Sequence, residues 1–258
     1  MTTALAVDRA ELESKVKEMY RQVADAPSGE FHFEMGRGLA ERLGYAPADL
    51  DRVPPEAAES FAGVGFHVDL ADIRAGDEIL DLGSGSGMDS FVAALKTGAA
   101  GRVTGLDMTD AQLAKAERLR TRGNFARVSF RKGYIEDLPF RSEAFDAVIS
   151  NGVINLSADK LQVFREAARV LKPGGRLAIS DIVTDKPLPE GVTCNATLWA
   201  ACIGGAMQQD AYLAAITAAG LRVRQVRENP QYRFLSPNAT NAARKYGVKS
   251  VSLVATKS

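Results

Sequence analysis

Ile79-Leu80-Asp81-Leu82-Gly83-Ser84-Gly85-Ser86-Gly87 reads as a buried strand that runs into a glycine-rich turn and opens a helix. Glycines in such a turn adopt torsions that other residues resist and let the backbone pass close to a ligand. The next strand ends at Asp107, 24 residues beyond Gly83, where a carboxylate can accept both hydroxyls of a ribose. These two features leave the nucleotide open, because nicotinamide enzymes place a similar turn and acid in the same positions. The glycine spacing narrows the choice: it is G-x-G-x-G here, not G-x-G-x-x-G.

Outward from that turn the chain alternates. Strands are expected at 78–82, 102–107, 128–132, 145–150 and 175–181, with helical stretches at 88–96, 110–122 and 160–171. Later strands follow near 222–228 and 249–257. Alternation of this kind predicts a doubly wound α/β fold, a mainly parallel sheet of seven strands covered on both faces. Thr109 with Gln112 fits a capping box for the helix at 110–122, and Pro173-Gly174-Gly175 stops the one at 160–171. Before the alternation, Leu12, Val16, Met19 and Val23 mark one face of a helix over 8–24, and a second helical stretch runs from Glu34 to Leu43. Residues 45–65, rich in proline and glycine, read mostly as loop. After Pro187 and Pro189 come an apolar helix over roughly 195–207 and another at 210–219. The chain therefore divides into an N-terminal helical and loop extension, 1–65, and a main domain, 66–258, with a helical cap at about 186–220. Lys245 to Val251 reads as a turn entering an edge strand, and no internal repeat is found.

Lysine and arginine balance aspartate and glutamate at 32 each among 258 residues. No basic field draws the chain to phosphate backbones, so nucleic acid is not an expected partner. No stretch approaches the roughly 20 apolar residues that span a bilayer, and the opening MTTALAVDRAELE carries acidic residues where a secretion signal keeps an apolar run. A cytoplasmic protein with no membrane partner is expected. Cys194 and Cys202 are too few for a disulfide framework and matter, if at all, as thiols.

Asp81 to Asp89, DLGSGSGMD, is similar to motif I of the class I methyltransferases. Gly133-Tyr134-Ile135-Glu136-Asp137-Leu138-Pro139, Phe145-Asp146 into Ser150-Asn151, and Arg169-Val170-Leu171-Lys172-Pro173-Gly174-Gly175 extend the likeness over the core. The resemblance implies a Rossmann-like fold and S-adenosyl-L-methionine as cofactor. Carried onto this chain, it gives the cofactor to Asp81, Gly83, Ser84, Gly85, Gly87, Asp107, Met108 and Asn151. It also places the segment after the third strand beside the adenine. Many relatives have aspartate where this chain has Tyr134, which passes the adenine contact to Glu136 and the backbone of Ile135.

A narrower likeness joins Gly133–Glu136, Ser150-Asn151-Gly152-Val153-Ile154-Asn155-Leu156 with Asp159-Lys160, Ser180-Asp181, Leu188-Pro189-Glu190, and Leu198-Trp199 through Cys202-Ile203-Gly204-Gly205-Ala206. Together these resemble the arsenite methyltransferases over about residues 60–220. The implied acceptor is a small molecule, trivalent arsenic, bound as substrate and not as a resident metal, with a thiol reductant as partner. Soft arsenic prefers thiolates and keeps a lone pair for the sulfonium methyl. Cys202 matches a family arsenic-binding cysteine. Gly152 stands where the family usually has another, and nothing upstream supplies the N-terminal cysteines. Cys194 lies eight residues before Cys202, so one helix would put both on a shared face. A site of two thiolates suits a methylated or organic arsenical; alternatively each cysteine is a small buried apolar residue.

His32 and His67 are the imidazoles available near neutral pH. His67 lies near where the acceptor enters and is a candidate contact, but arsenic has no proton to remove and the two histidines have no metal-site spacing. Asn151 and Asn155 end the fourth strand, where ligands of open sheets sit, and orient the acceptor or the cofactor's amino-acid part, or else cap the loop. Trp199 walls the acceptor pocket or packs the cap. Two other functions stay open: a methyltransferase acting on an organic C, O or N nucleophile, which Gly152 favours, and a non-catalytic arsenic- or nucleoside-binding protein. The glycine spacing argues against a nicotinamide oxidoreductase. The sequence does not disclose the oligomeric state.

Overall fold

A computed structural model of the chain describes residues 7–27, 29, 31, 33–193, 204–235 and 237–258. Its strands are β1 (Glu78–Leu82), β2 (Arg102–Asp107), β3 (Val128–Lys132), β4 (Phe145–Asn151), β5 (Leu171–Thr184), β6 (Met207–Gln208), β7 (Leu221–Glu228) and β8 (Lys249–Lys257). They form one sheet in the order β3-β2-β1-β4-β5-β8-β7, with β6 added beside β5. From β3 through β5 neighbours run parallel, and β8 is antiparallel to both β5 and β7. The doubly wound, mainly parallel sheet is present, with seven strands along its main path and the two-residue β6 as an addition.

The helices are α1 (Arg9–Asp25), α2 (Arg37–Leu43), α3 (Pro47–Leu50), α4 (Pro55–Glu59), α5 (Met88–Thr97), α6 (Asp110–Arg122), α7 (Lys160–Val170), α8 (Glu190–Thr193), α9 (Gln209–Ala218) and α10 (Pro237–Tyr246). The period of two along a strand sorts its side chains between the layers. Ile79 of β1 packs with Leu39, Tyr45, Leu50 and Phe91 from the α2–α5 side, whereas Leu80 and Leu82 pack with Phe164 of α7 and Tyr212 of α9. Each such buried side chain contributes about 1.5–3 kcal/mol. Asp81 falls on the Ile79 face, which aims it at α5. β1 lies between β2 and β4, the point where strand order reverses, and ligands of open α/β sheets bind beyond the carboxyl ends there.

Several local expectations are corrected. Residues 45–65 hold two short helices, each with proline in its first turn, where the missing N–H costs nothing. Thr109 occupies the N-cap of α6 without a side-chain capping bond; Gln112 is drawn away to accept from Ser86 Oγ (2.6 Å) and donate to the carbonyl of Tyr20 (2.8 Å). α7 ends at Val170, ahead of Pro173, because Leu171 already pairs with Phe145 and residues 172–175 form an irregularity inside β5. Tyr246 closes α10, and β8 is an interior strand, since β5 and β7 flank it. Of the helix expected at 195–207, residues 195–203 lie outside the described residues, while 204–205 form a turn and Met207-Gln208 is β6.

Candidate active site

The glycine-rich turn is pinned to the end of β2. The amides of Gly83 and Ser84 both donate to the carbonyl of Leu106, at 2.7 and 3.0 Å. Gly83 takes φ +68°, and a Cβ there would stand 2.4 Å from Cγ2 of Val153; only glycine allows both the torsion and the approach. The Gly85 amide donates to Oδ2 of Asp107 (2.9 Å) and the Thr109 amide to Oδ1 (2.8 Å). One carboxylate thus joins the turn to the start of α6. Burial pushes the Asp107 pKa up, against the pull of those amides.

Asp107 lines a cavity of about 370 Å³ together with Gly83, Gly85, Met108, Ile135 and Glu136. Val153 and Leu156 after β4 and Leu12, Val16 and Tyr20 of α1 line it as well. Its lining is largely apolar with few polar groups, the usual character of a small-molecule site. The Ser157 hydroxyl donates to Glu136 Oε1, and Gln162 donates to the Glu136 carbonyl (3.2 Å). Both contacts fix the loop after β3 against the start of α7.

A smaller cavity of about 60 Å³ continues past Gly83 and Gly85 to Asp81, Asp89, Ser86 and Asn151. Asp81 is 2 % exposed and accepts from Ser90 Oγ at 2.6 Å. Burial, then the negative charge of Asp89, pushes its pKa up to about 8, with Asp107 adding to the effect. Asp89 accepts from the Tyr45 hydroxyl (2.5 Å) and from Asn151 Nδ2 (3.1 Å). The Ser84 hydroxyl is buried with no partner among the described residues. This end of the site gathers two carboxyl groups, and a cationic group placed there would favour their ionised form.

Asn151 ends β4 as expected, and its amide ties residues 64–65 and Tyr45 to the sheet. Asn155 is buried in a 3-10 turn, Ile154–Leu156, and its backbone amide reaches Asp181. His67 is fully buried, lines neither cavity, and has both ring nitrogens without partners among the described residues; burial lowers its pKa, so the ring is neutral. Gly152 takes φ +73° with its amide donated to the carbonyl of Ser180 (2.8 Å), and a Cβ there would lie 3.3 Å from Val64 Cγ1. Cys194, Trp199 and Cys202, like His32, lie outside the described residues.

Sequence reading did not assign roles to Asp89, Tyr45 or the cavity-lining residues of α1. Asp89 sits in the quoted motif, so its place on the first turn of α5 was the available signal. Asp181 and Lys160 were motif residues without a role. Asp181, pushed up to about 6 by burial, accepts from Tyr212 (2.8 Å), and Lys160, lowered to about 8 by burial, donates to the Ser157 carbonyl (2.8 Å). Together they hold the loop 153–159 that borders the large cavity. Among the described residues no cluster of three or more histidine, cysteine or acidic side chains is placed to hold a metal ion, and no helix is long and apolar enough to cross a membrane.

The sheet order, the pinned turn and the carboxylate at the end of β2 fit a domain that binds a nucleoside ligand. Residues 73–220 match the family described as a methyltransferase domain, and the chain belongs to that family. It is similar to an arsenite methyltransferase of Halobacterium salinarum, 38 % identical over 187 residues, covering 72 % of this chain and 48 % of that protein. The chain therefore spans about half the length of such curated relatives. An arsenic (III) S-adenosylmethionine methyltransferase from Chlamydomonas reinhardtii superposes with a TM-score of 0.62 at 30 % identity, over 86 % of this chain and 74 % of that one. A geranyl diphosphate C-methyltransferase from Streptomyces coelicolor superposes at 0.70 with 19 % identity, covering 98 % of this chain and all of that one, a likeness of fold.

Proposed function

We propose that the chain transfers a methyl group from S-adenosylmethionine to a small acceptor, trivalent arsenic as arsenite or methylarsenite. The observation that carries the methyl-donor half is Asp107, whose carboxylate lines the cavity beside the Gly83–Gly85 turn at ribose-reading position. Ile135, Glu136 and Met108 would border the adenine, and the glycines at 83, 85 and 87 would let the backbone approach. Asp81 and Asp89 would receive the ammonium of the amino-acid part, with Asn151 holding Asp89 in place. S-adenosylmethionine supplies the electrophilic sulfonium methyl. The protein's part is to orient the reactants and exclude water.

On the acceptor side, the likeness to arsenite methyltransferases assigns arsenic ligation to Cys202; helical spacing adds Cys194, nearness in sequence adds Trp199 as a wall, and the position after β4 adds Asn155 as an orienting group. Residues 186–220 would then cap the acceptor. A thiol reductant keeps the acceptor trivalent, which places the reaction in a reducing compartment such as the cytoplasm. A second reading, an organic nucleophile as acceptor, is favoured by Gly152, whose backbone supplies no thiol.

The test is to incubate the protein with S-adenosylmethionine, a thiol reductant and either arsenite or methylarsenite, following S-adenosylhomocysteine and arsenic speciation. Methylated arsenic that disappears in Cys202→Ser supports the arsenic reading. Cofactor binding without arsenical turnover moves the acceptor to the organic class.

A further inference from the structure

α1 is a wall of the larger cavity: its Leu12, Val16 and Tyr20 line the space together with Gly83, Asp107 and Ile135. A ligand that fills this space has α1 against it, so exchange of the ligand depends on how α1 is held.

The two ends of α1 are held by different physics. At its carboxyl end, Gln112 donates to the Tyr20 carbonyl (2.8 Å), and the buried Lys115 ammonium donates to the Ala24 carbonyl (2.9 Å) and to Ser60 Oγ (2.6 Å). A cation against the last carbonyls also suits the helix dipole. This end is a fixed anchor. Toward the amino end, Leu12 and Val16 are buried in a cluster with Val64, Leu156 and Ile182, and the polar attachment is to the loop after β3 through Tyr134, whose hydroxyl donates to Glu13 Oε1 (2.8 Å) and accepts from Lys17 Nζ (3.0 Å). Lys17 is also bonded to Glu13 at 2.5 Å and stands 5.2 Å over the Tyr134 ring. Glu13 is held ionised by Lys17 first and Tyr134 second.

Unlike the anchor, this second attachment is wet. Tyr134 is 42 % exposed, and the side chains of Lys17 and Glu13 are 33 % and 42 % exposed. Exposed ion pairs are weak and exchange readily with water, which is the property of a fastening that opens and recloses.

We propose that the Tyr134 hydroxyl is the catch that fastens α1 over the methyl-donor cavity, making Tyr134 a positioning residue that sets how fast the nucleoside product leaves. The proposal rests on reading that cavity as the S-adenosylmethionine site. Tyr134 and Glu13 themselves border the cavity, and the Tyr134 hydroxyl bonds to side chains of α1.

Tyr134→Phe keeps the ring and the cation–π contact and deletes only the hydroxyl. Amide hydrogen exchange in the free protein and the dissociation rate of S-adenosylhomocysteine are measured for the wild type, Tyr134→Phe, Glu13→Gln and the double variant. Expected are faster exchange at residues 9–17 with 20–25 unchanged, and an off-rate raised about two- to fivefold, the scale of a weak exposed pair. The double variant adds little to either single one. Unchanged off-rate and exchange, exchange raised evenly across the protein, or additive effects overturn the proposal. If the wild type does not bind S-adenosylhomocysteine, the methyl-donor reading falls, and exchange at residues 9–17 in free Tyr134→Phe alone decides the catch.

Discussion

Asn151 grips Gly65 by both sides of its backbone: its Nδ2 donates to the Gly65 carbonyl at 3.0 Å and its Oδ1 accepts from the Gly65 amide at 3.3 Å. The same oxygen accepts from Val64 (2.8 Å) and the same nitrogen donates to Tyr45 and Asp89. Asn151→Ala leaves these groups without their partner in a part-buried place, at a cost of about 3 kcal/mol. Urea unfolding should show that loss. Binding of S-adenosylhomocysteine should weaken too, because Asp89 loses the amide that orients it.

Asp81 gives a pH dependence with a definite sign. Its folded pKa is about 8 against an ordinary 3.8, so the folded state favours the proton. The stability it contributes is present below pH 4 and is lost as pH rises through 8. Melting temperatures followed from pH 6 to 9 should fall more steeply for the wild type than for Asp81→Asn. Saturating S-adenosylmethionine should flatten the wild-type curve, since a bound ammonium stabilises the carboxylate.

Gly83→Ala faces two obstacles, the torsion of +68° and the collision with Val153. Calorimetric affinity for S-adenosylhomocysteine should drop by more than about tenfold, the equivalent of the roughly 1–2 kcal/mol torsional cost plus the clash. Adding Val153→Ala should recover part of the loss. Full recovery would show that the torsion carries no cost.

Lys160 and Asp181 give a second pH dependence. Asp181 stands at about 6 because burial outweighs Tyr212, the Ile182 amide and Lys160. Lys160→Met removes a lowering charge, so the Asp181 pKa rises further and the folded state loses more stability as pH climbs through 6. The variant should match or exceed the wild type at pH 5, where the buried ammonium is itself a cost, and melt below it at pH 7.

The parts of this molecule that were legible in its sequence are those in which cause and effect are close along the chain. The run from Ile79 to Gly87 carries its strand, turn and helix start within nine residues, and the period of two along each strand exposes the layers. Pro47 and Pro55 open helices by a rule that the sequence also contains, but the surrounding proline and glycine outweighed it. Gln112 had the spacing of a capping partner, yet two tertiary acceptors and donors compete for its amide and win. The contacts of Asn151 with residues 64–65 and of Tyr134 with α1 join positions 86 to 121 residues apart. No local pattern encodes such pairings, which is why the site's frame was visible and its fastenings were not.

The placement of β8 between β5 and β7 has a consequence for biosynthesis. β7 leaves the ribosome before β8 does, yet β8 is its neighbour in the sheet. For the time it takes to make residues 229–257, β7 has no strand to pair with. β7 carries Arg222, Arg224 and Arg227 among its eight residues, and charged side chains on an unpaired strand discourage it from pairing with another chain. The same arginines that decorate a sheet edge in the finished protein are those a waiting β7 would present.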